Sequence, residues 1–290
     1  MTEKIIWEDY YAKGARFELE KFKEIIAAGE TVPMRVIKLF KEFERLHSRS
    51  IGEDGGALHT PRQIVDDNLF VEAPSLSTVI FLDKKIPYPP YTGPNESKLL
   101  RDAMNLNNTD FDAIVELGSG WGRVLFDLYY DGFPKDIPMY SAEQSAPSRE
   151  ITDVLCELDP AINIEAVAFD FNDPDFSFLE GKKKVFFFTV YSLMFIRTIE
   201  EDLIRAMLGS ADYVECLHIE PMGYQTTQDE ERTLFFDDKN WNANLTSLLD
   251  SVREKGKLDM IRGKIIDILP APRNPLNTAS IYHWRTPPWR

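Results

Sequence analysis

The sequence has little cysteine and no long apolar run, and each deficit removes a class of function. Its two cysteines, Cys156 and Cys216, lie far apart in 290 residues without a CxxC pair. That spacing argues for reduced thiols and against a disulfide framework or a zinc site. No apolar run approaches the roughly 20 residues needed to span a bilayer, and the charged N-terminus lacks the apolar core of a signal peptide. We therefore expect a cytoplasmic protein without a membrane partner.

Positive charge is also scarce. Lys and Arg number 33 against 48 Asp and Glu, which gives a formal net charge of −15. A field of that sign repels a phosphate backbone, so nucleic acid is a disfavoured partner. Hydrophobic residues make up 43% of the chain, enough to bury a sizeable core. The length allows one large α/β domain with an appendage, or two smaller domains.

The first 90 residues differ in pattern from the rest. Residues 15–30 place apolar side chains near one helical face and end at Gly29, and residues 32–48 repeat that pattern. The Gly-rich segment 50–61 and the Pro-rich segment 85–95 predict irregular structure. We predict a helical N-terminal cap with a proline-rich connector over residues 1–90, and the main domain over residues 91–290.

The main domain alternates amphipathic helices with short apolar runs. The five runs that alternate with helices lie at 112–117, 137–143, 162–171, 183–192 and 212–221, and two more follow at 258–269 and 278–286. Such alternation predicts an α/β fold with a doubly wound, mostly parallel, Rossmann-like sheet of seven strands. The last two runs have no helix between them, so we expect an antiparallel hairpin at one edge.

The first run leads directly into a glycine-rich turn. Residues 112–122 read DAIVELGSGWG, which gives the spacing GxGxG. A dinucleotide fingerprint requires GxGxxG, and a P-loop requires Gly-Lys-Ser/Thr. Both phosphate-binding interpretations therefore fail on spacing.

The residues ELGSGWG resemble the first motif of class I S-adenosylmethionine-dependent methyltransferases, and the resemblance extends over roughly residues 95–285, including the antiparallel last hairpin. It implies S-adenosylmethionine as cofactor. The glycine backbone would approach the methionine and ribose portion, and the acidic residue would support the site near the amino group. The resemblance assigns this motif to Glu116, Gly118, Ser119, Gly120 and Gly122.

Two further acids stand where the next two strands end. Glu143, followed by Gln144, ends the second strand, where a nucleoside-binding fold needs a carboxylate for the ribose hydroxyls. Asp170 with the neighbouring Phe171 ends the third strand, where the family holds the adenine. Three acids at three successive strand ends favour cofactor binding over three unrelated surface acids.

Two more cofactor contacts are expected before the main domain. Tyr91 and Thr92 lie in the proline-fixed segment, where members of the family commonly fold a lid over the cofactor.

Candidate catalytic residues, which would contact the methyl acceptor, lie at the ends of the fourth and fifth strands: Tyr191, His218 and Glu220. Methyl transfer from a sulfonium needs mainly alignment in a dry pocket, and a base only if the nucleophile arrives protonated. His218 and Glu220 share one face of a strand and could form an oriented base. Alternatively, His218 has no role in the chemistry, and Tyr191 is either a pocket wall or a core aromatic.

The absence of several known motifs narrows the class of methyl acceptor. YSLM follows the fourth strand where DNA amino-methylating enzymes carry Asp/Asn-Pro-Pro-Tyr, and neither cysteine follows a proline. The paired-glutamate loop of arginine methyltransferases and the Asp of metal-dependent catechol-type enzymes are also absent. We expect a metal-independent methyltransferase acting on an O or N nucleophile of a small molecule, peptide or protein. A non-catalytic cofactor-binding protein and, less favoured by the glycine spacing, an NAD-dependent oxidoreductase stay open, as does the oligomeric state.

Overall fold

The computed structural model describes residues 7–51, 57–61, 77–81, 84–88, 96–106, 110–227, 229–269 and 278–287. It begins with two helices, α1 (Trp7–Ala27) and α2 (Pro33–Leu46), followed by a small antiparallel pair of strands, β1 (His47–Ile51) and β2 (Ala57–Pro61). Gly29, with φ of +102°, ends the first helix as the sequence predicted.

A larger sheet of nine strands dominates the part of the chain that the structure describes. Its strands are β3 (Ser77–Phe81), β4 (Lys84–Tyr88), β5 (Ala113–Leu117), β6 (Met139–Glu143), β7 (Ile164–Ala168), β8 (Lys184–Val190), β9 (Tyr213–Glu220), β10 (Asp259–Leu269) and β11 (Ala279–Arg285). Their order across the sheet is β4-β3-β10-β11-β9-β8-β5-β6-β7.

The predicted doubly wound, mostly parallel sheet is confirmed by this topology. Strands β5 to β9 run parallel, and β5 lies between β6 and β8, so the winding direction reverses at β5. The final hairpin is antiparallel, as expected, but it does not form the edge. Strand β11 is inserted between β9 and β10, and β3 and β4 extend the sheet beyond β10.

The N-terminal segment is therefore only partly the helical cap that the sequence predicted. Both helices are present, but residues 57–61 and 85–88, interpreted as irregular, lie in strands. Pro87 is compatible with β4 because that strand lies at the edge of the sheet. Because β3 pairs with β10 and β4 pairs with β3, these two strands extend the sheet of the main domain. The domain boundary near residue 90 stays a prediction.

Helices cover both faces of the sheet. The remaining helices are α3 (Glu96–Leu106), α4 (Arg123–Tyr130), α5 (Ala146–Glu157), α6 (Glu201–Gly209), α7 (Tyr224–Thr227), α8 (Glu230–Asp238) and α9 (Leu245–Glu254). Helices α1 to α5 share one apolar core with the Ile114 face of β5, while α6 to α9 share another with the Val115 face. The carboxyl ends of the parallel strands lie between these layers, at one edge.

Candidate functional site

The glycine turn follows β5 at the point where the winding of the sheet reverses, which is where open α/β sheets bind ligands. Gly118, Gly120 and Gly122 have φ of +68°, +57° and +75°, a region that other residues rarely adopt. A Cβ atom at Gly118 would lie 2.6 Å from the Cβ of Ser192, whereas one at Gly120 would meet no atom of the described residues within 4 Å. The turn therefore packs closely against Ser192 at Gly118 and leaves space for a ligand at Gly120.

Glu143 holds this turn from the end of the neighbouring strand β6. Its carboxylate accepts hydrogen bonds from the backbone N–H of Gly120, at 2.9 Å, and of Ser145, at 2.7 Å. Burial raises the pKa of Glu143, and these two N–H groups oppose that rise. A carboxylate has about four acceptor positions, so Glu143 retains capacity for a ligand's hydroxyl groups.

Glu116 lies beneath the turn and is only 3% exposed. The backbone N–H of Leu125, in the first turn of α4, bonds to its carboxyl group, and burial raises its pKa to about 8. Its Oε2 atom has no hydrogen-bond partner among the described residues. Glu116 therefore caps α4 with one oxygen and leaves a buried acceptor free beside the turn. Its predicted contact with an amino group stays a prediction.

The Ser119 side chain is used by the scaffold. Its hydroxyl lies 2.7 Å from that of Ser141 in β6, which in turn lies 3.4 Å from the Thr152 hydroxyl in α5. A Cβ at Gly122 would approach the same Ser141 hydroxyl to 3.2 Å. This buried hydroxyl chain keeps the turn close to β6 and α5, so any ligand contact from Ser119 would come from its backbone.

The ends of β6 and β7 meet beside the turn, as the sequence predicted. Gln144 Nε2 donates to Asp170 Oδ2 at 3.2 Å, and the backbone N–H of Asn172 donates to Asp170 Oδ1 at 2.8 Å. The Phe171 ring reaches to 3.0 Å from the position of a Cβ at Gly118. The predicted contacts Tyr91 and Thr92 lie outside the described residues.

His218 lies on the same face of β9 as Glu220, but its surroundings argue against the predicted role as a base. It is 1% exposed, and its Nε2 accepts a hydrogen bond from the indole Nε1 of Trp284 at 3.0 Å. The proton therefore sits on Nδ1, which lies 3.0 Å from Thr189 Oγ1. Burial, with a smaller effect of His283, lowers the pKa of His218 to about 3. It is a neutral, fully bonded core residue.

Glu220 is likewise engaged by the protein. Its carboxylate accepts hydrogen bonds from the backbone N–H groups of Ser192, Leu193 and Met194, at 3.1, 3.1 and 3.3 Å. Burial raises its pKa to about 7, against the effect of these donors. Glu220 fixes the loop after β8, which is a positioning role and differs from the catalytic role that the sequence suggested.

Tyr191 begins that loop in a left-handed backbone conformation, with φ of +52°. Such a conformation is uncommon for a residue with a side chain, and it occurs often at functional sites. Its ring is half-buried and touches both cores. Burial first, and then the charges of Glu96 and Glu220, raise the pKa of its hydroxyl. Tyr191 therefore carries a neutral hydroxyl at the end of β8, and its ring packs against both cores.

Sequence reasoning missed one residue inside the motif itself. Trp121, between the second and third glycines, is 7% exposed and packs against Phe22 of α1 and Phe40 of α2. A bulky aromatic residue inside a ligand-binding turn was the available signal, because such a side chain requires an apolar partner.

Two kinds of feature are absent from the residues that the structure describes. No group of three or more His, Cys, Asp or Glu side chains there could hold a metal ion. No described helix is both long and apolar enough to cross a membrane.

Comparison with known proteins gives similarity in structure alone. No family model matches the sequence, and no curated protein matches it. An O-methyltransferase from Bacillus cereus in complex with S-adenosylhomocysteine (SAH) is 10% identical over 68% of this chain and 82% of its own, with a TM-score of 0.46. Magnesium protoporphyrin IX methyltransferase from Synechocystis PCC 6803 with bound SAH is 11% identical over 67% and 84%, with a TM-score of 0.45. Geranyl diphosphate methyltransferase in complex with GPP and sinefungin is 10% identical over 66% and 77%, also at 0.45.

These TM-scores all lie below 0.5, so the fold assignment depends on the topology of this chain. Its parallel strands wind outward in both directions from β5, and an antiparallel hairpin closes the chain. On these grounds the chain has the Rossmann-like fold of class I methyltransferases.

Proposed function

We propose that this protein is an S-adenosylmethionine-dependent methyltransferase that acts on an O or N nucleophile of a small molecule, peptide or protein. The observation that carries the proposal is the contact between Glu143 and Gly120. It brings a carboxylate with spare acceptor positions against a glycine turn that is open on its ligand side, at the reversal point of the sheet.

The described residues fit the cofactor. Glu143 supplies acceptors for two ribose hydroxyls, and the open space at Gly120 admits a ligand against the backbone. Asp170 and Phe171 offer an acceptor and an apolar ring beside the same turn, as an adenine requires. Glu116 adds a buried carboxyl oxygen without a partner among the described residues, which would accept a hydrogen bond from an amino group.

In this proposal the protein contributes binding and alignment. Bound S-adenosylmethionine would supply a methyl group activated by its sulfonium. The chain's own residues orient the nucleoside through Glu143 and keep water from the buried side of the turn, which is lined by Leu117 and Ser192. Tyr191 donates a hydrogen bond or forms a wall where the acceptor would enter.

The proposal does not use a base from β9. His218 and Glu220 are buried and fully engaged by the scaffold. The acceptor would therefore carry a nucleophile that is already unprotonated near neutral pH, such as a carboxylate, an imidazole or an aromatic amine. A pH-rate profile that follows the acceptor's own pKa would support this.

Calorimetry tests the cofactor directly. The expected result is binding of SAH and no binding of NAD. Binding of NAD without SAH would replace the proposal with a nicotinamide-dependent oxidoreductase. With SAH binding established, transfer of a labelled methyl group to size-separated fractions of a cell lysate would identify the class of acceptor. Label found only in nucleic acid would contradict the argument from charge.

A cofactor-binding protein without turnover is the second candidate. It is favoured by one observation, the engagement of both His218 and Glu220 by the scaffold. SAH binding without label in any fraction would favour this candidate over the enzyme.

A further inference from the structure

Trp121 connects the glycine turn to the N-terminal helices. Its ring centroid lies 5.3 Å from that of Phe22 at an interplanar angle of 62°, and 6.1 Å from that of Phe40 at 87°. Phe22 and Phe40 stack on each other at 4.2 Å, and both are fully buried. The three rings form one cluster, which we call the aromatic clamp, and it joins α1, α2 and the turn.

The Ser119–Ser141–Thr152 hydroxyl chain and the Gly118 N–H, which donates to Ala142 O, attach the turn to β6 and α5, while Trp121 attaches it to α1 and α2. Gly120 and Gly122 have no side chains, so Trp121 supplies the only side chain in this part of the turn. On one side the turn is held by Glu143, which accepts from the Gly120 N–H. On the other side it is held by the aromatic clamp. Displacement of α1 or α2 would therefore release Trp121 and the support of the turn on the side of these helices, while its hydrogen bonds to β6 would remain.

Ion pairs reinforce the same attachment. Lys41 of α2 lies 2.8 Å from Asp127 of α4, and Lys23 of α1 lies 2.7 Å from Glu150 of α5. Helices α4 and α5 follow β5 and β6, the two strands that carry the turn and Glu143. Because these pairs are partly exposed, they contribute little to stability, and the buried rings carry most of the coupling.

We propose that Trp121, Phe22 and Phe40 are positioning residues that couple docking of the N-terminal helices to the geometry of the glycine turn, and thereby to cofactor affinity. The second half of this statement rests on the proposed function. Coupling between two binding events is reciprocal, so the cofactor must stabilise the docked helices as much as the helices improve its binding.

The first experiment needs no ligand. Phe40→Leu is compared with Phe186→Leu, a matched control whose fully buried ring packs on Phe111 instead of on Trp121. Hydrogen exchange is measured at the amides of residues 118–122, where Gly118 donates to Ala142 O and Gly122 to Ser119 O. We expect Phe40→Leu to speed exchange at these amides and Phe186→Leu to leave them unchanged.

Equal exchange in the two variants would overturn the coupling. If Phe40→Leu does not fold, Phe40→Met, which retains more side-chain volume, is compared with Phe186→Met.

The second experiment measures SAH affinity in the full chain by calorimetry. We expect Phe40→Leu to raise the Kd about tenfold and Phe186→Leu to leave it within about twofold, even where both lower the Tm equally. Trp121→Phe should retain most of the affinity that Trp121→Ala loses, because a phenyl ring still fills the clamp.

The two hypotheses fail in different ways. An unchanged Kd in Phe40→Leu, with SAH still bound by the wild type, overturns the link to the cofactor alone. Absence of SAH binding in the wild type overturns the proposed function and that link together, while the exchange experiment still decides the mechanical coupling.

Discussion

The carboxyl edge of the sheet has two halves that look alike in sequence and differ in structure. On the glycine side, at the ends of β5 to β7, Glu143 and Asp170 lie at strand ends, and each stays partly exposed although neighbouring N–H groups donate to it. On the loop side, at the ends of β8 and β9, Glu220 also ends a strand, but it is fully buried and accepts from three backbone N–H groups of the loop after the neighbouring strand β8. A strand-end acid is thus available to a ligand only where the loop of a neighbouring strand does not bury it.

The largest effect on cofactor binding is expected from a side chain placed inside the glycine turn. Gly118→Ala places a Cβ 2.6 Å from the Cβ of Ser192 and forces a side chain into φ of +68°. We expect SAH affinity to fall by about a hundredfold or more, since strain of roughly 1–2 kcal/mol adds to the clash. The measurement is calorimetric titration with SAH.

Gly132→Ala is the matched control, because it also has positive φ, at +86°, but a Cβ there would meet nothing within 4 Å. It should lower stability by the strain alone and leave the Kd near that of the wild type. Equal losses of affinity in the two variants would show that the contact with Ser192 is unimportant.

A smaller effect is expected from removing charge on the glycine side. Glu143→Gln keeps one oxygen for the Gly120 N–H, replaces the oxygen that accepts from the Ser145 N–H by an amide NH2 group, and loses the negative charge that would bind hydroxyl groups. We expect the Kd for SAH to rise about tenfold, or about 1.4 kcal/mol. Glu165→Gln, an exposed site on β7, serves as control. An unchanged Kd in Glu143→Gln would remove this carboxylate from the site.

The pH dependence of stability tests the acid beneath the turn. Burial raises the pKa of Glu116 from 4.5 to about 8, so its protonated form is favoured in the folded state. The contribution of the protonated Glu116 carboxyl group to the free energy of unfolding is fully present below pH 4.5 and is lost as the pH rises through about 8. Glu116→Gln should therefore gain stability relative to the wild type between these limits, on the order of 3 kcal/mol.

Urea unfolding of both proteins at pH 5 and pH 8 measures this difference. If the free energy of unfolding changes equally with pH in the wild type and in Glu116→Gln, the Glu116 carboxyl group is ionised in the folded protein.

The smallest effect is expected on the loop side. His218→Gln retains an acceptor for the Trp284 indole, so we expect the methyl-transfer rate, once an acceptor is known, to stay within about fivefold of the wild type. Loss of a true general base would cost about 10²–10⁴ in rate. A fall of that size in a variant with a normal circular dichroism spectrum would restore His218 as a catalytic residue.

The glycine side could be predicted from sequence because its signals are local. Gly118, Gly120 and Gly122 come directly after β5 in the sequence. The acids at the ends of the next two strands can be identified as soon as those strands are predicted. The contact of Gln144 with Asp170 then follows from the parallel pairing of β6 and β7.

The loop side could not be predicted to the same depth. The two-residue spacing of His218 and Glu220 correctly placed both on one face, but spacing says nothing about what covers that face. The partners come from elsewhere in the chain: Trp284 from the last strand, and the N–H groups of residues 192–194 from the loop after β8. The same limit applies to β3 and β4, whose strand pairing depends on β10.

The pairing of Ile80 in β3 with Lys264 in β10 has a consequence for the order of assembly. The chain must be synthesised through residues 264–265 before β3 can find its partner, whereas Phe22, Phe40 and Trp121 are synthesised more than 140 residues earlier. The aromatic clamp can therefore close during synthesis, while the β3–β4 edge waits until β10 has been made. Contacts between distant residues form slowly, so a ribosome-bound chain truncated before residue 259 should have a docked N-terminus and an unfinished sheet.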